Sequence, residues 1–200
     1  MTRKLQAFYV PNPQELQKLL QQTGAMLEGH FLLSSGLHSS QYLQCALLLE
    51  DPSRAEALGR ALAEGFAGMQ LDLVAGPALG AVVIGHEVAR AAGARFIFTE
   101  RDASGRAVLR RGFQVMPGER SLVVEDVVTT GGSTREVVDL LRANHAEVRG
   151  VACILDRSGG QVEYGVPLVS LLQMHAPAWP PEECELCRRG LPVEKPGSRK

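Results

Sequence analysis

Two adjacent carboxylates, Glu125 and Asp126, stand inside the run Leu122-Val123-Val124-Glu125-Asp126-Val127-Val128-Thr129-Thr130-Gly131-Gly132-Ser133. Leu122, Val123 and Val124 read as a strand buried on both faces of a parallel sheet, which puts the acids at its carboxyl end. Open α/β sheets bind ligands at that edge. From Thr134 to His145 the chain carries Val137, Val138, Leu140 and Leu141 at helical spacing, so Thr130-Gly131-Gly132-Ser133 leads into a helix N-terminus. Backbone N–H groups and the positive end of the helix dipole gather there, and small residues let a phosphate approach closely. Two carboxylates beside a phosphate repel it unless they meet another part of the ligand. Vicinal ribose hydroxyls are natural donors to carboxylate oxygens, so the run predicts recognition of a ribose 5-phosphate unit. Neither a Walker A lysine nor a Gly-x-Gly-x-x-Gly fingerprint accompanies it, which argues against a nucleotide triphosphatase and a Rossmann dehydrogenase.

Other segments must hold that run in place. Asn12-Pro13-Gln14-Glu15 combines an N-cap, a first-turn proline and an acid at the third position, and Gly24 closes a helix whose apolar side is Leu16, Leu19 and Leu20. Strands are predicted at Phe31 to Leu33 and Tyr42 to Leu49, around a Ser/Gly turn. A helix then starts at Asp51-Pro52 and uses Leu58, Leu62 and Phe66. The doubly wound part follows: strand Leu71 to Ala75, turn Gly76 to Gly80, helix Ala81 to Ala92, strand Arg95 to Thr99. Ser121 to Glu125, Thr134 to Asn144 and Val148 to Asp156 repeat the scheme. This alternation favours a parallel sheet with right-handed crossovers. Between Thr99 and Ser121, the turn chemistry of Asp102-Ala103-Ser104-Gly105 inside a charged stretch predicts a hairpin-like lid whose arginines can neutralise a diphosphate. A solvated hairpin with scattered charges is the plainer reading.

The chain has 200 residues, 45% of them hydrophobic, which suffices for one ordinary core. A net charge of −1 argues against a dedicated nucleic-acid binder, which needs a clustered basic surface. No apolar signal core opens the chain and no run of about 18 apolar residues interrupts it, so a cytoplasmic protein is expected. The four cysteines, Cys45, Cys153, Cys184 and Cys187, are too few and too uneven for a secreted disulfide framework. Cys184-x-x-Cys187 with His175 offers three zinc ligands where a closed structural site needs four, so a plain tail turn with two thiols is expected there.

The acid pair and the turn after it resemble the 5-phosphoribosyl 1-diphosphate (PRPP) loop of the type I phosphoribosyltransferases. Ser35-Gly36-Leu37-His38-Ser39, Gly76-Pro77-Ala78, Glu100-Arg101, Leu109-Arg110-Arg111-Gly112-Phe113, Asp156-Arg157-Ser158-Gly159-Gly160 and the closing Lys195-Pro196-Gly197-Ser198-Arg199 are similar, in order, to orotate phosphoribosyltransferases. The PRPP loop alone gives the superfamily. The Ser-Gly-x-His-Ser turn and Asp156-Arg157 are what point to orotate.

The resemblance implies an α/β fold, a central mainly parallel sheet flanked by helices, with a small hood built from the N-terminal region and the C-terminal tail. It implies one domain over 1–200: hood and base-binding turn in 1–50, doubly wound core in 71–172 with a mobile loop at about 100–118, and tail in 176–200. The implied reaction is magnesium-dependent transfer of a 5-phosphoribosyl group from PRPP to orotate, by a cytoplasmic homodimer whose active sites are shared across the interface. Catalytic roles are implied for Asp126 and Arg106. PRPP would meet Arg101, Glu125, Asp126, Thr129, Thr130, Gly131, Gly132 and Ser133, and orotate would meet Ser35, Gly36, Thr129 and Arg157. Magnesium would be held mainly by PRPP and water, with no dedicated protein ligand. His38 stands either as a substrate ligand or as a simply hydrogen-bonded histidine. The chain departs from many relatives in having Ser34 where they have lysine, in Arg101-Asp102 followed by Arg106 where they have further lysine and histidine, and in lacking a lysine after Gly76-Pro77-Ala78. A purine phosphoribosyltransferase would keep the PRPP loop without the Ser-Gly-x-His-Ser turn. A PRPP-sensing regulator would need a basic face or an added winged helix.

Overall fold

The computed structural model describes residues 12–33, 36–174 and 177–196. Helix α1 (Pro13–Gln22) opens on the anticipated capping box: Glu15 N–H donates to Asn12 Oδ1 and Asn12 N–H to Glu15 Oε2, each at 3.0 Å. Leu16 and Leu20, one turn apart, are fully buried. Strands β1 (Met26–Leu32) and β2 (His38–Leu43) form an antiparallel hairpin. Two helices follow, α2 (Cys45–Leu49) and α3 (Pro52–Glu64), the second capped by Asp51.

The alternating part then runs β3 (Leu73–Pro77), α4 (Ala81–Ala92), β4 (Arg95–Arg101), β5 (Ala107–Leu109), β6 (Arg120–Val128), α5 (Gly132–Ala143), β7 (Glu147–Asp156) and β8 (Leu168–Gln173). These strands make a six-stranded sheet in the order β5-β4-β3-β6-β7-β8, parallel except for β5, which pairs antiparallel with β4. The chain closes on β9 (Ala178–Trp179) and α6 (Glu185–Arg188), and β9 joins the hairpin in a second sheet, β1-β2-β9. That small sheet is the hood, made from both ends of the described chain as expected.

Period-two alternation divides the core along β6. Leu122 and Val124 pack with α1, α3 and α4 residues such as Leu16, Leu58 and Ile84, while Val123 packs on the other face with Val137, Val138 and Leu141 of α5. Burial on both faces is why Leu122, Val123 and Val124 read as an unbroken apolar run.

Three expectations need correction. The strand predicted over Tyr42 to Leu49 stops at Leu43, and Cys45–Leu49 is helical. A short continuous apolar run carries no periodicity to separate the two states, and here Cys45, Leu48 and Leu49 are buried at helical spacing. The central strand does not end at the acids: Val127 and Val128 continue its pairing with Leu155 and Asp156. The tail is more than a plain turn with two thiols, since Cys184 is fully buried and β9 extends the hood. Strand β8 was not foreseen, because its partly exposed residues lie past a stretch of turn composition.

Leu122→Ala removes a fully buried side chain from the central strand. It is expected to lower the unfolding free energy by about 2–5 kcal/mol, measured by urea denaturation.

Candidate active site

The acid pair is split by the same alternation that builds the core. Glu125 shares the parity of Val123 and faces α5, where the Thr134 hydroxyl donates to its Oε2 at 3.5 Å. It is 7% exposed, and burial, followed by the charge of Asp126, pushes its carboxyl well above the usual range. Asp126 turns to the opposite face and remains partly exposed. Its carboxylate lies against Gly80 at the N-terminus of α4, so closely that a Cβ on Gly80 would stand 2.7 Å from Oδ2. Any larger residue there would have to displace the carboxylate. Burial and then the Asp126 charge raise the Tyr42 hydroxyl and the Cys45 thiol.

After β6 the chain turns through exposed Thr129 and Thr130 into α5. Gly131 takes a left-handed backbone (φ 76°), and a Cβ there would meet Val162 Cγ1 at 2.5 Å and Tyr164 Oη at 2.7 Å. No side chain caps the helix. Gly132 and Ser133 are exposed, so the first turn presents backbone N–H groups and the Ser133 hydroxyl to solvent beside the acids. The structure therefore assembles Glu125, Asp126, Thr129, Thr130, Gly131, Gly132 and Ser133 around one strand end.

The interval after β4 is the anticipated hairpin. Arg101 at its base donates through Nη2 to Ser133 Oγ at 3.2 Å, pairs through Nη1 with Glu136, and also donates to the Gly105 carbonyl at 2.8 Å. Arg101 is thus moored at the phosphate turn. Arg106 instead pairs with Asp102 of its own turn at 3.3 Å, and its side chain is 81% exposed. The structure does not bring Arg106 to Asp126.

Arg157 follows β7, and its N–H donates to the Val128 carbonyl at 2.8 Å, which sets it beside the end of β6. Asp156 is 2% exposed and fixes the loop by accepting from Ser158 N–H, Ser158 Oγ, Gly160 N–H and Gln173 Nε2. Arg157 reaches the hood, where Nη2 donates to Ser39 Oγ at 3.4 Å. Its Nε is buried without a hydrogen-bond partner among the described residues, and burial lowers the pKa of the guanidinium. Gly36 is exposed in the turn that precedes β2, in a left-handed backbone (φ 83°). Ser34, Ser35 and His175 lie outside the described residues. His38 is buried against His30 and Cys187. Of its two readings, the hydrogen-bonded one describes its contacts. The expectation that Cys184 and Cys187 lack a second pair of ligands is overturned, because the fold brings His30 and His38 to them. Sequence spacing could not show this: the histidines come from a hairpin about 150 residues upstream.

Residues 48–173 match the phosphoribosyl transferase domain family. The orotate phosphoribosyltransferase of Thermotoga petrophila is 51% identical over 184 residues, covering 92% of this chain and 98% of that protein. The chain belongs to the orotate phosphoribosyltransferase family. In architecture it is similar to the crystal structure of orotate phosphoribosyltransferase from Aeropyrum pernix, with a TM-score of 0.66, 29% identity and coverage of 80% of this chain and 93% of that one. It is also similar to the Mycobacterium tuberculosis orotate phosphoribosyltransferase solved in complex with PRPP, with a TM-score of 0.65, 27% identity and coverage of 82% and 96%. No helix among the described residues is long and apolar enough to cross a membrane.

The raised carboxyl of Glu125 has a consequence for stability. A carboxyl whose pKa is higher in the folded than in the unfolded chain contributes fully below the unfolded value and loses that contribution as pH rises through the folded one. The wild type is therefore expected to lose stability relative to Glu125→Gln between about pH 4 and about pH 8. Urea denaturation of both proteins at the two pH values checks this, and a constant difference would contradict the burial of an ionisable group at this position.

Proposed function

We propose that this site transfers the 5-phosphoribosyl group from PRPP to orotate, giving orotidine 5'-monophosphate and diphosphate in de novo UMP synthesis. The carrying observation is the pairing of an uncapped helix N-terminus beside Asp126 with a buried, incompletely bonded guanidinium at Arg157. The first suits the 5-phosphate and the second the carboxylate of orotate, to which guanidinium groups pair bidentately. Thr129, exposed where β6 gives way to α5, offers a hydroxyl to either ligand.

In the reaction a ring nitrogen of orotate forms a bond to the anomeric carbon as the bond from that carbon to the diphosphate oxygen breaks, its electron pair leaving with diphosphate and the nitrogen's proton passing to solvent. Positive charge grows on the ribose ring and negative charge on the leaving group. Asp126 accepts from a ribose hydroxyl and favours the developing cation. Glu125, held toward its neutral form, supplies a hydrogen-bond donor as well as an acceptor to the neighbouring hydroxyl. Arg101 stands beside Ser133 as a fixed cation for PRPP, and Arg106 is the charge at the hairpin tip available to diphosphate once it leaves Asp102. Family likeness assigns Ser35 and Gly36 to orotate, and Gly36 is exposed in the turn before β2.

The protein donor set fits a magnesium ion held mostly by substrate: Asp126 is the accessible carboxylate and Glu125 is buried with a raised pKa. Bound magnesium would supply Lewis-acid neutralisation of the departing diphosphate. We assign the active form to a cytoplasmic homodimer, in which the hairpin carrying exposed Arg106 reaches the neighbouring subunit's site.

Incubation with PRPP, magnesium and orotate should deplete the ultraviolet absorbance of orotate, while adenine, hypoxanthine and uracil should not be consumed. Consumption of a purine instead would overturn the assignment. Asp126→Asn is expected to lower kcat by about 100-fold with a smaller change in the KM for orotate. Arg157→Ala is expected to raise the KM for orotate by about 10- to 100-fold and to leave the KM for PRPP nearly unchanged.

A further inference from the structure

His30, His38, Cys184 and Cys187 converge from four positions that the catalytic site does not use. Their ligand atoms, one from each residue, all lie within 4.8 Å of one another. His30 Nε2 is 2.9 Å from His38 Nδ1, 3.4 Å from Cys184 Sγ and 3.6 Å from Cys187 Sγ, and Cys187 Sγ is 3.2 Å from His38 Nδ1. Tetrahedral zinc, with bonds of about 2.0–2.1 Å to nitrogen and about 2.3 Å to sulfur, sets its ligands roughly 3.3–3.8 Å apart. Those four separations lie within a few tenths of an ångström of that spacing, and the widest pair in the cluster, within 4.8 Å, lies about 1 Å beyond it.

The surroundings favour a metal over an ordinary polar contact. His30 Nδ1 is 2.9 Å from the Leu191 carbonyl, which can only accept, so this nitrogen carries the proton and Nε2 offers a lone pair to the cluster. His30, His38 and Cys184 are buried, at 4%, 8% and 0% exposure. Cys184 caps α6 and Cys187 lies three residues on, which puts both sulfurs on one side of the helix start. Both cysteines are free thiols in the structure. Two imidazoles and two thiolates form a closed set with balanced charge for a divalent ion of borderline softness, and leave no open position for substrate.

We propose that these four residues bind one structural zinc ion, which fastens the C-terminal segment around α6 to the β1–β2 hairpin. The hairpin is short and the tail has little core of its own, so the ion replaces a hydrophobic layer that the hood lacks. It also steadies the orotate end of the active site. His38 and Ser39 are consecutive in β2: the first faces the cluster, while the second bonds to Arg157 and, at 2.7 Å, donates to the Pro177 carbonyl.

The test is metal analysis of the untagged full-length protein, purified without chelator. About one zinc per chain is expected, falling at least severalfold in Cys184→Ser and in Cys187→Ser and unchanged in His86→Ala, an exposed histidine elsewhere. Should the cysteine variants fail to fold, zinc removal from the wild type and refilling with cobalt(II) keeps the question decidable, because tetrahedral thiolate ligation gives strong visible bands. The chelated protein is also expected to melt at a lower temperature than the zinc-loaded one. Less than about one zinc per ten chains together with no cobalt bands, or a Cys184–Cys187 disulfide in the purified protein, would overturn the proposal. Stoichiometry and spectra do not depend on catalysis, so they stand or fall apart from the assigned reaction.

Discussion

A carboxyl group buried in the middle of the sheet is the constraint on which the rest of this molecule depends. Strand β6 is flanked by strands on both edges and by helices on both faces, and Glu125 sits in it with almost no water contact. Such a group is tolerated only where neighbours hydrogen-bond it or where it keeps its proton. Thr134, in the first turn of α5, supplies the one, and the adjacent Asp126 charge promotes the other. Position of helix, identity of its first residues and protonation of the acid are therefore a single problem with a single solution.

The same strand explains why the two acids do different work although they are neighbours in the chain. Alternation sends Glu125 toward α5 and Asp126 toward α4, where Gly80 makes room for the carboxylate. One acid becomes a neutral-leaning partner in a closed environment. The other stands partly exposed at the rim.

How much of this could be read from the sequence depends on how far apart the cooperating residues lie. The phosphate turn was legible because Leu122 through Ser133 hold strand, acids, glycines and helix start in one continuous segment, and the alternating core was legible from its periodicity. Cys45–Leu49 was misread because an apolar pentad fits strand and helix equally well. The place of Arg157 against the hood could not be read from its own segment, because the fold sets it beside Ser39, 118 residues away in the chain. The four-residue cluster in the hood was invisible for the same reason, since neither the hairpin nor the Cys-x-x-Cys pair contains enough ligands alone. Arg106 is the converse case: its composition suited catalysis, yet its geometry ties it to Asp102.

Arg101 already has an anionic companion. Its guanidinium rests on Glu136 and Ser133 of α5, and Glu136 also accepts from the backbone N–H of Ala107 in the neighbouring strand. Under the proposed assignment of Arg101 to PRPP, a phosphate arriving there competes with a resident carboxylate rather than filling an empty field, so the gain from binding is a difference between two attractions. A monoanion gains little by such an exchange; a multiply charged phosphate ester gains more. If Arg101 serves PRPP as proposed, discrimination against weakly charged metabolites follows from the resting hairpin.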